Sequence, residues 1–157
     1  MNASNDVSTL SVALDKLYSA VDIDVTTVLF LPVVCMVMAI SIRVAPKDLD
    51  QWLGSDDAKR TTSLKMYWNS KSALIMASAV KAENLHLVEA LTLTGLYLIL
   101  MHERRLAEGW STFRAAIAAG QAIGLHRDGT KLGLEPFMVE YRRRLWSYLV
   151  HADATFV

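Results

Sequence analysis

The sequence predicts an all-α protein, an irregular bundle of about five helices, from three observations. Hydrophobic residues make up 53% of the 157 residues, which is above the roughly 45–50% of ordinary soluble domains. Only three prolines and seven glycines are present, so the turn signals that punctuate β-rich domains are scarce. Apolar side chains also recur every three or four residues along several segments, and this is the period of a helix.

Charge and cysteine content exclude several classes of protein. Sixteen basic residues balance sixteen acidic ones, which argues against both a disordered acidic tail and a globally basic nucleic-acid binder. The single cysteine, Cys35, excludes an internal disulfide and a cysteine-rich zinc site. The length fits one domain.

The first 42 residues contain a polar start and the most apolar run of the chain. Residues 1–24 are predicted to be a disordered or frayed N-terminus, since residues 1–10 lack the basic residues of a secretory signal. Residues 28–42 are almost continuously apolar, but this is shorter than the roughly 20 residues of a membrane span. We expect a buried core helix that begins near Leu29 and has Pro32 in its first turn. A small helical membrane protein using residues 28–42 and 85–101 is the alternative.

Two further helices are predicted in the middle of the chain. Residues 45–57 read as a connection with one short turn, and residues 58–80 as an amphipathic helix. Residues 85–101 are apolar on nearly every side, which is typical of a helix at the centre of a bundle. Their only charge, Glu89, is either a functional carboxylate with a shifted pKa or a first-turn residue that complements the helix dipole and faces an opening.

The last two helices frame a short loop. Residues 106–124 carry an apolar stripe beside a flank of alanines that allows a neighbouring helix to approach closely. Gly124 is expected to end this helix as a C-cap. After the loop of residues 125–134, Pro136 marks the start of a helix that continues to the end of the chain.

No catalytic or metal site is evident from residue spacing. No two histidines have the three- or four-residue separation that places two ligands on one helical face; they are His86, His102, His126 and His151. A phosphate loop and a nucleophile elbow are also missing, so a helical enzyme is the weakest hypothesis. For residues 142–144, three consecutive arginines, we favour pairing with Glu140, loop acids or a helix carbonyl over DNA contact.

Two segments are more specific than any periodicity. The first is Gly124-Leu125-His126-Arg127-Asp128, and the second is Glu140-Tyr141-Arg142-Arg143-Arg144-Leu145-Trp146, followed by Asp153. Together they resemble the middle homology region of fungal zinc-cluster transcription factors, also called the fungal-specific or xylanolytic-activator-type regulatory domain. That family commonly shows Leu-Gly-Leu-His-Arg-Asp, then Glu-x-Arg-Arg-Arg-Leu-Trp-Trp and a later Asp-Arg. The resemblance covers residues 25–157 and is strongest over residues 110–153.

The resemblance implies a set of structural motif residues and no catalytic, cofactor-binding or metal-binding ones. We expect Gly124 to adopt the left-handed C-cap conformation and the next motif residues to make polar contacts with the start of the last helix. Arg143 or Arg144 would hold the loop or Glu140, and Asp153 would bind an arginine of the same network. The full set is Gly124, His126, Arg127, Asp128, Glu140, Arg143, Arg144, Trp146 and Asp153.

The resemblance also implies a function, a location and partners. It predicts a non-catalytic regulatory domain of a nuclear transcription factor, which contacts other parts of that factor or regulatory proteins and no membrane. DNA binding and zinc belong to a six-cysteine cluster that this chain lacks, so no cofactor is expected here. Three positions depart from the family pattern, namely Glu89, Ser147 and Ala154.

The resemblance further implies that residues 25–157 are the N-terminal part of a larger all-α domain. The family's Ser and Gly-Arg-Pro segment does not occur before Val157. Exposed apolar faces and self-association are therefore expected.

Overall fold

The computed structural model describes Val12, residues 24–101 and residues 105–155, and this part of the chain contains helices and no strand. Five long helices confirm the predicted all-α fold, and a short sixth one lies in the predicted connection. The predicted frayed N-terminus, residues 1–24, lies outside the described residues except for Val12 and Asp24. The helices are α1 (Val25–Val44), α2 (Asp50–Leu53), α3 (Asp56–Val80), α4 (Leu85–Leu100), α5 (Leu106–Ala122) and α6 (Pro136–Thr155), with 3₁₀ turns at Lys47–Leu49 and Gly129–Leu132.

Helix α1 begins one turn earlier than the sequence predicted. The carboxylate of Asp24 accepts a hydrogen bond of 3.3 Å from the backbone amide of Thr26 and caps the helix at Val25. Pro32 therefore lies inside the helix, and the expectation that it occupies the first turn of a helix starting near Leu29 was wrong. The cap was missed because Asp24 stands outside the apolar run.

Helices α1 and α3 pack antiparallel through two buried serines. The Ser70 hydroxyl donates to the Pro32 carbonyl at 2.8 Å, and the Ser63 hydroxyl donates to the Ala39 carbonyl at 2.7 Å. The Ser63 hydroxyl also lies 3.0 Å from the hydroxyl of Tyr97. Each buried hydroxyl thus has a partner, as a packed interior requires.

Helix α4 occupies the centre of the bundle, as its all-round apolar character predicted. On one side it joins α1 and α3 in a cluster of Met36, Ala39, Tyr67, Tyr97 and Leu98. On the other side it joins α5 and α6 in a cluster of Val88, Ile99, Phe113, Ala116, Leu125, Leu149 and Ala152.

Helices α4 and α5 approach each other closely where Gly109 faces α4. A Cβ atom on Gly109 would lie 2.5 Å from Cγ1 of Ile99 and 3.2 Å from the carbonyl oxygen of Gly95. The ring of Phe113 fills the space beside Gly95. Gly109 permits this close approach, and Ala116 of the predicted alanine flank is fully buried in the same cluster.

Helix α1 is long and apolar enough to cross a membrane by length and composition, and it is the one such helix among the described residues. Helix α4, with 16 residues, is shorter. Seven residues of α1 are buried within the bundle, which is the behaviour of a core helix: Leu29, Pro32, Val33, Val34, Cys35, Met36 and Ala39.

Candidate functional site

The C-terminal end of α5 is closed by a Schellman motif centred on Gly124. The Leu125 amide donates to the Gly120 carbonyl at 2.8 Å, and the Gly124 amide donates to the Gln121 carbonyl at 3.0 Å. Gly124 has a φ of 66°, a left-handed conformation that glycine adopts without steric cost. The chain reverses here, and the Leu125 side chain enters the core.

A side chain of α6 reaches the same helix end. One guanidinium nitrogen of Arg142, Nη2, donates to the carbonyl of Ile123 at 3.1 Å. A positive charge at a helix C-terminus also opposes the negative end of the helix dipole. Of the partners predicted for the arginine triplet, Arg142 binds the helix carbonyl.

The other two arginines bind within α6. Nη1 of Arg143 and Nε of Arg144 lie 3.0 and 2.8 Å from the carboxylate oxygens of Glu140. The hydrogen bond from Arg144, followed by the positive charges of Arg144 and Arg143, lowers the pKa of Glu140 below its ordinary value. Both arginine side chains are mostly exposed, so these pairs contribute little to stability.

Asp128 organises the loop from within. Its Oδ1 accepts a hydrogen bond of 3.1 Å from the backbone amide of Thr130 and caps the 3₁₀ turn that follows. This hydrogen bond, with that of the Thr130 side chain and the nearby positive charges of Arg143 and Lys131, lowers the pKa of Asp128. Its polar contact with α6 is this charge interaction with Arg143, while its hydrogen bonds among the described residues are made within the turn.

His126 contacts α6 through its ring. The imidazole of His126 and the indole of Trp146 have centroids 5.9 Å apart and planes inclined at 53°. Trp146 in turn packs against the α4–α5–α6 cluster. Among the hydrogen bonds of the described residues, none joins His126 or Arg127 to α6, and His126 contacts this helix by aromatic packing.

Arg127 lies at the rim of a shallow cavity of about 230 Å³ beside the helix end. The cavity is lined by Gln121, Ala122, Ile123, Gly124, Arg127 and Leu132. Its walls are the Schellman turn and the loop, so its shape depends on the contacts that hold this loop.

Asp153 binds an arginine outside the triplet. Its Oδ1 lies 2.8 Å from Nε of Arg114 on α5, and the Arg114 guanidinium lies 5.0 Å from the ring centroid of Trp110. The expectation that Asp153 joins the Arg143–Arg144 network was wrong, because those two arginines lie more than two turns before Asp153 on α6 and bind Glu140. Asp153 instead ties the end of α6 to α5.

A second polar cluster joins three helices away from the loop. The hydroxyl of Tyr141 donates to Oε1 of Glu89 at 2.7 Å, and Nδ1 of His86 lies 2.8 Å from Oε2 of the same carboxylate. The ring of Phe30 on α1 meets the His86 ring edge-on at 5.1 Å. The spacing of residues 86 and 89 on one helical face was the only signal in the sequence for this cluster.

The position of Glu89 differs from the predicted place in the first turn of its helix. Helix α4 starts at Leu85, after the Asn84 cap, so Glu89 stands beyond the first turn. Its side chain is buried and faces Tyr141 of α6 in place of an opening. In the described part of the chain, no three histidine, cysteine or acidic side chains come together as metal ligands.

Comparison with known protein families identifies the family of the chain. Residues 23–156 match the model of the fungal specific transcription factor domain. The chain belongs to this family. The match includes α1 and both motif segments, so the membrane-protein alternative is not favoured.

Two curated relatives of this transcription factor domain agree. The chain is 38% identical over 84 residues to the pyriculol/pyriculariol biosynthesis cluster transcription factor 1 of Pyricularia oryzae, covering 53% of this chain and 11% of the relative. It is 35% identical over 61 residues to transcription factor FBD3 of Gibberella moniliformis, covering 37% and 8%. The matched segments are thus about a tenth of either relative. No solved structure matches the chain.

Proposed function

We propose that the chain is a non-catalytic regulatory domain of a zinc-cluster-type transcription factor, which acts in the nucleus and modulates transcription through protein contacts. The observation that carries this proposal is the family match over residues 23–156, together with the motif residues that meet between α5 and α6. In this proposal, DNA binding and zinc belong to a separate cysteine cluster, and the chain itself holds no cofactor.

The loop between α5 and α6 is the proposed contact surface. The side chain of Leu125 holds the loop to the core, and the hydrogen bond from Arg142 to the Ile123 carbonyl holds it to α6. Arg127 and Asp128 are exposed. A loop that is fixed at its base and charged at its surface suits recognition of another protein segment. The proposed partners are other parts of the transcription factor, regulatory proteins and a second copy of the chain.

The polar clusters hold helices of the bundle together. His86, Glu89 and Tyr141 bind one another across α4 and α6, and Asp153 binds Arg114 across α6 and α5. Each of these groups is occupied by a contact between or within helices. Their chemistry is thus explained by packing of the bundle.

A reporter assay tests the regulatory role. The chain is inserted between a zinc-cluster DNA-binding segment and an acidic activation segment, and reporter output is compared with that of a flexible linker of equal length. We expect the chain to change the output, and Arg142→Gln to shift the output towards the linker value, because the loop loses its anchor. Arg143→Gln, whose side chain is exposed, is the matched control. Output equal to the linker value would contradict the proposal.

A further inference from the structure

Helix α3 carries an apolar stripe on its outer side. Trp68 and Ile75 are 55% and 72% exposed, although both are large apolar residues. Ser72 and Ala79, also exposed, alternate with them at spacings of four, three and four residues. These four residues form one line along the helix and are called the outer stripe below.

The outer stripe faces away from the rest of the bundle. The opposite side of α3 carries Ser63, Ser70 and Ala77, which are buried, and the two serines bind α1. Met76, which lies beside the stripe, is 54% exposed. A contiguous exposed apolar patch of this kind marks an interaction surface.

The order of side chains along the stripe is self-complementary. Trp68 and Ile75 are large, whereas Ser72 and Ala79 are small. The pair Trp68 and Ala79 and the pair Ser72 and Ile75 have the same midpoint along the helix. Two antiparallel copies of α3 related by a two-fold axis would therefore place each large side chain opposite a small one. We propose that the outer stripe is a homodimer interface in which Trp68 packs on Ala79 and Ile75 packs on Ser72 of the second copy.

Charges at the two ends of α3 favour the antiparallel arrangement. Lys65 is exposed at the N-terminal end of the stripe, and Glu83 is exposed just beyond the C-terminal end of α3. Lys81, beside Glu83, is also exposed. Antiparallel pairing brings Lys65 of one copy towards both Lys81 and Glu83 of the other, so attraction offsets repulsion, whereas parallel pairing brings each of the three charges towards its own copy. Opposite charges across an interface fix its register and reject the alternative.

The size of the stripe predicts weak association. Trp68, Ile75 and Met76 together with their polar neighbours would bury at most about 1,000 Å² in the dimer, which is the low end for specific interfaces. We expect a dissociation constant on the order of 100 µM. This proposal rests on the self-association that is part of the proposed function.

Sedimentation equilibrium of the full 157-residue chain tests the interface. The wild-type protein should form dimers, and Ile75→Lys should weaken them at least about tenfold, because a charge then faces Ser72 at the centre of the pair. Ser72→Glu should do the same, because two glutamates come close to the two-fold axis. Trp52→Ala removes another exposed apolar side chain outside the stripe and should leave the dimer unchanged.

Mixing the two charged variants tests the register. An equimolar mixture of Ile75→Lys and Ser72→Glu should form a heterodimer, because the new lysine then faces the new glutamate. A wild-type chain that stays monomeric, or a mixture without heterodimer, would overturn the proposal and indicate that another segment or protein covers the stripe. The reporter assay uses the loop variant Arg142→Gln, so failure of this interface and failure of the regulatory role are distinguished.

Discussion

Polar side chains make contacts in two regions of the bundle, but they are buried in one region and mostly exposed in the other. Between α1, α3 and α4, the hydroxyls of Ser63 and Ser70 are buried, and the rings of Tyr67 and Tyr97 stack at 5.2 Å. Between α5 and α6, most of the motif's charged groups remain exposed. Since polar contacts are worth more when water is excluded, the first region provides stability and the second provides position. The residues that identify the family are therefore mostly not those that hold the bundle together.

The same contrast exists within the arginine triplet. Arg142 is partly buried and binds the end of α5, whereas Arg143 and Arg144 bind Glu140 one turn away on their own helix. Helical geometry points consecutive side chains in different directions. One arginine thus acts between two elements, and the other two act locally.

The largest effect is expected in the buried core. Phe113→Ala should lower the free energy of unfolding by about 3–5 kcal/mol, because a fully buried ring that fills the space beside Gly95 is removed. Trp52→Ala, at a position that is 80% exposed, should change it by less than about 0.5 kcal/mol. Chemical denaturation followed by circular dichroism measures both, and equal losses would contradict the assignment of the core.

The next effect concerns the contact between α4 and α6. Tyr141→Phe should lower the free energy of unfolding by about 1.5–3 kcal/mol, because the buried Glu89 carboxylate loses a hydrogen bond. Tyr148→Phe is the control on the same helix, since no hydrogen bond from its hydroxyl to the described residues is found. Thermal unfolding of the two variants should separate them clearly. A Tyr141→Phe protein as stable as the control would show that Glu89 is satisfied without Tyr141.

A smaller effect is expected at the end of α5. Arg142→Gln should lower the free energy of unfolding by about 0.5–1.5 kcal/mol, the range of one ordinary hydrogen bond. Arg143→Gln should change it by less than about 0.5 kcal/mol. Urea titrations of both variants at identical salt provide the comparison. A larger loss for Arg143→Gln would reverse the roles assigned within the triplet.

The smallest expected effect is a change in the stability of the fold at acid pH. The folded-state pKa of Glu140 lies below its ordinary value of 4.5, so its pairing stabilises the fold above that pH and is lost as the pH falls through the folded value. The melting temperature of the wild-type protein should therefore drop more than that of Glu140→Gln below about pH 4.5. If the melting temperatures of the two proteins fall equally as the pH is lowered, the pairing is contradicted.

Periodicity and caps predicted most of the fold. The five long helices, the central position of α4 and the start of α6 at Pro136 follow from apolar spacing and helix-end residues. These signals are local, so one sequence is enough to read them. The start of α1 was misplaced because a single cap, Asp24, stood outside the pattern.

Contacts between helices were harder to predict. The sequence placed Arg142, Arg143 and Arg144 together but did not say which one points to α5, since that depends on the rotation of α6 about its axis, and about 100° of rotation exchanges neighbouring residues. The partner of Asp153, Arg114, lies 39 positions earlier in the chain and carries no local signal. The close approach at Gly109 was missed for the same reason, because it depends on which face of α5 meets α4.

Amide hydrogen exchange at the end of α5 tests the central claim that the motif positions the loop through Arg142. In the wild-type protein, the Leu125 amide should be protected, because it binds the Gly120 carbonyl. Arg142→Gln should increase exchange across residues 123–128 and leave α1 and α3 unchanged, while Arg143→Gln should resemble the wild-type protein. Unchanged exchange in Arg142→Gln, or faster exchange in Arg143→Gln alone, would contradict the account.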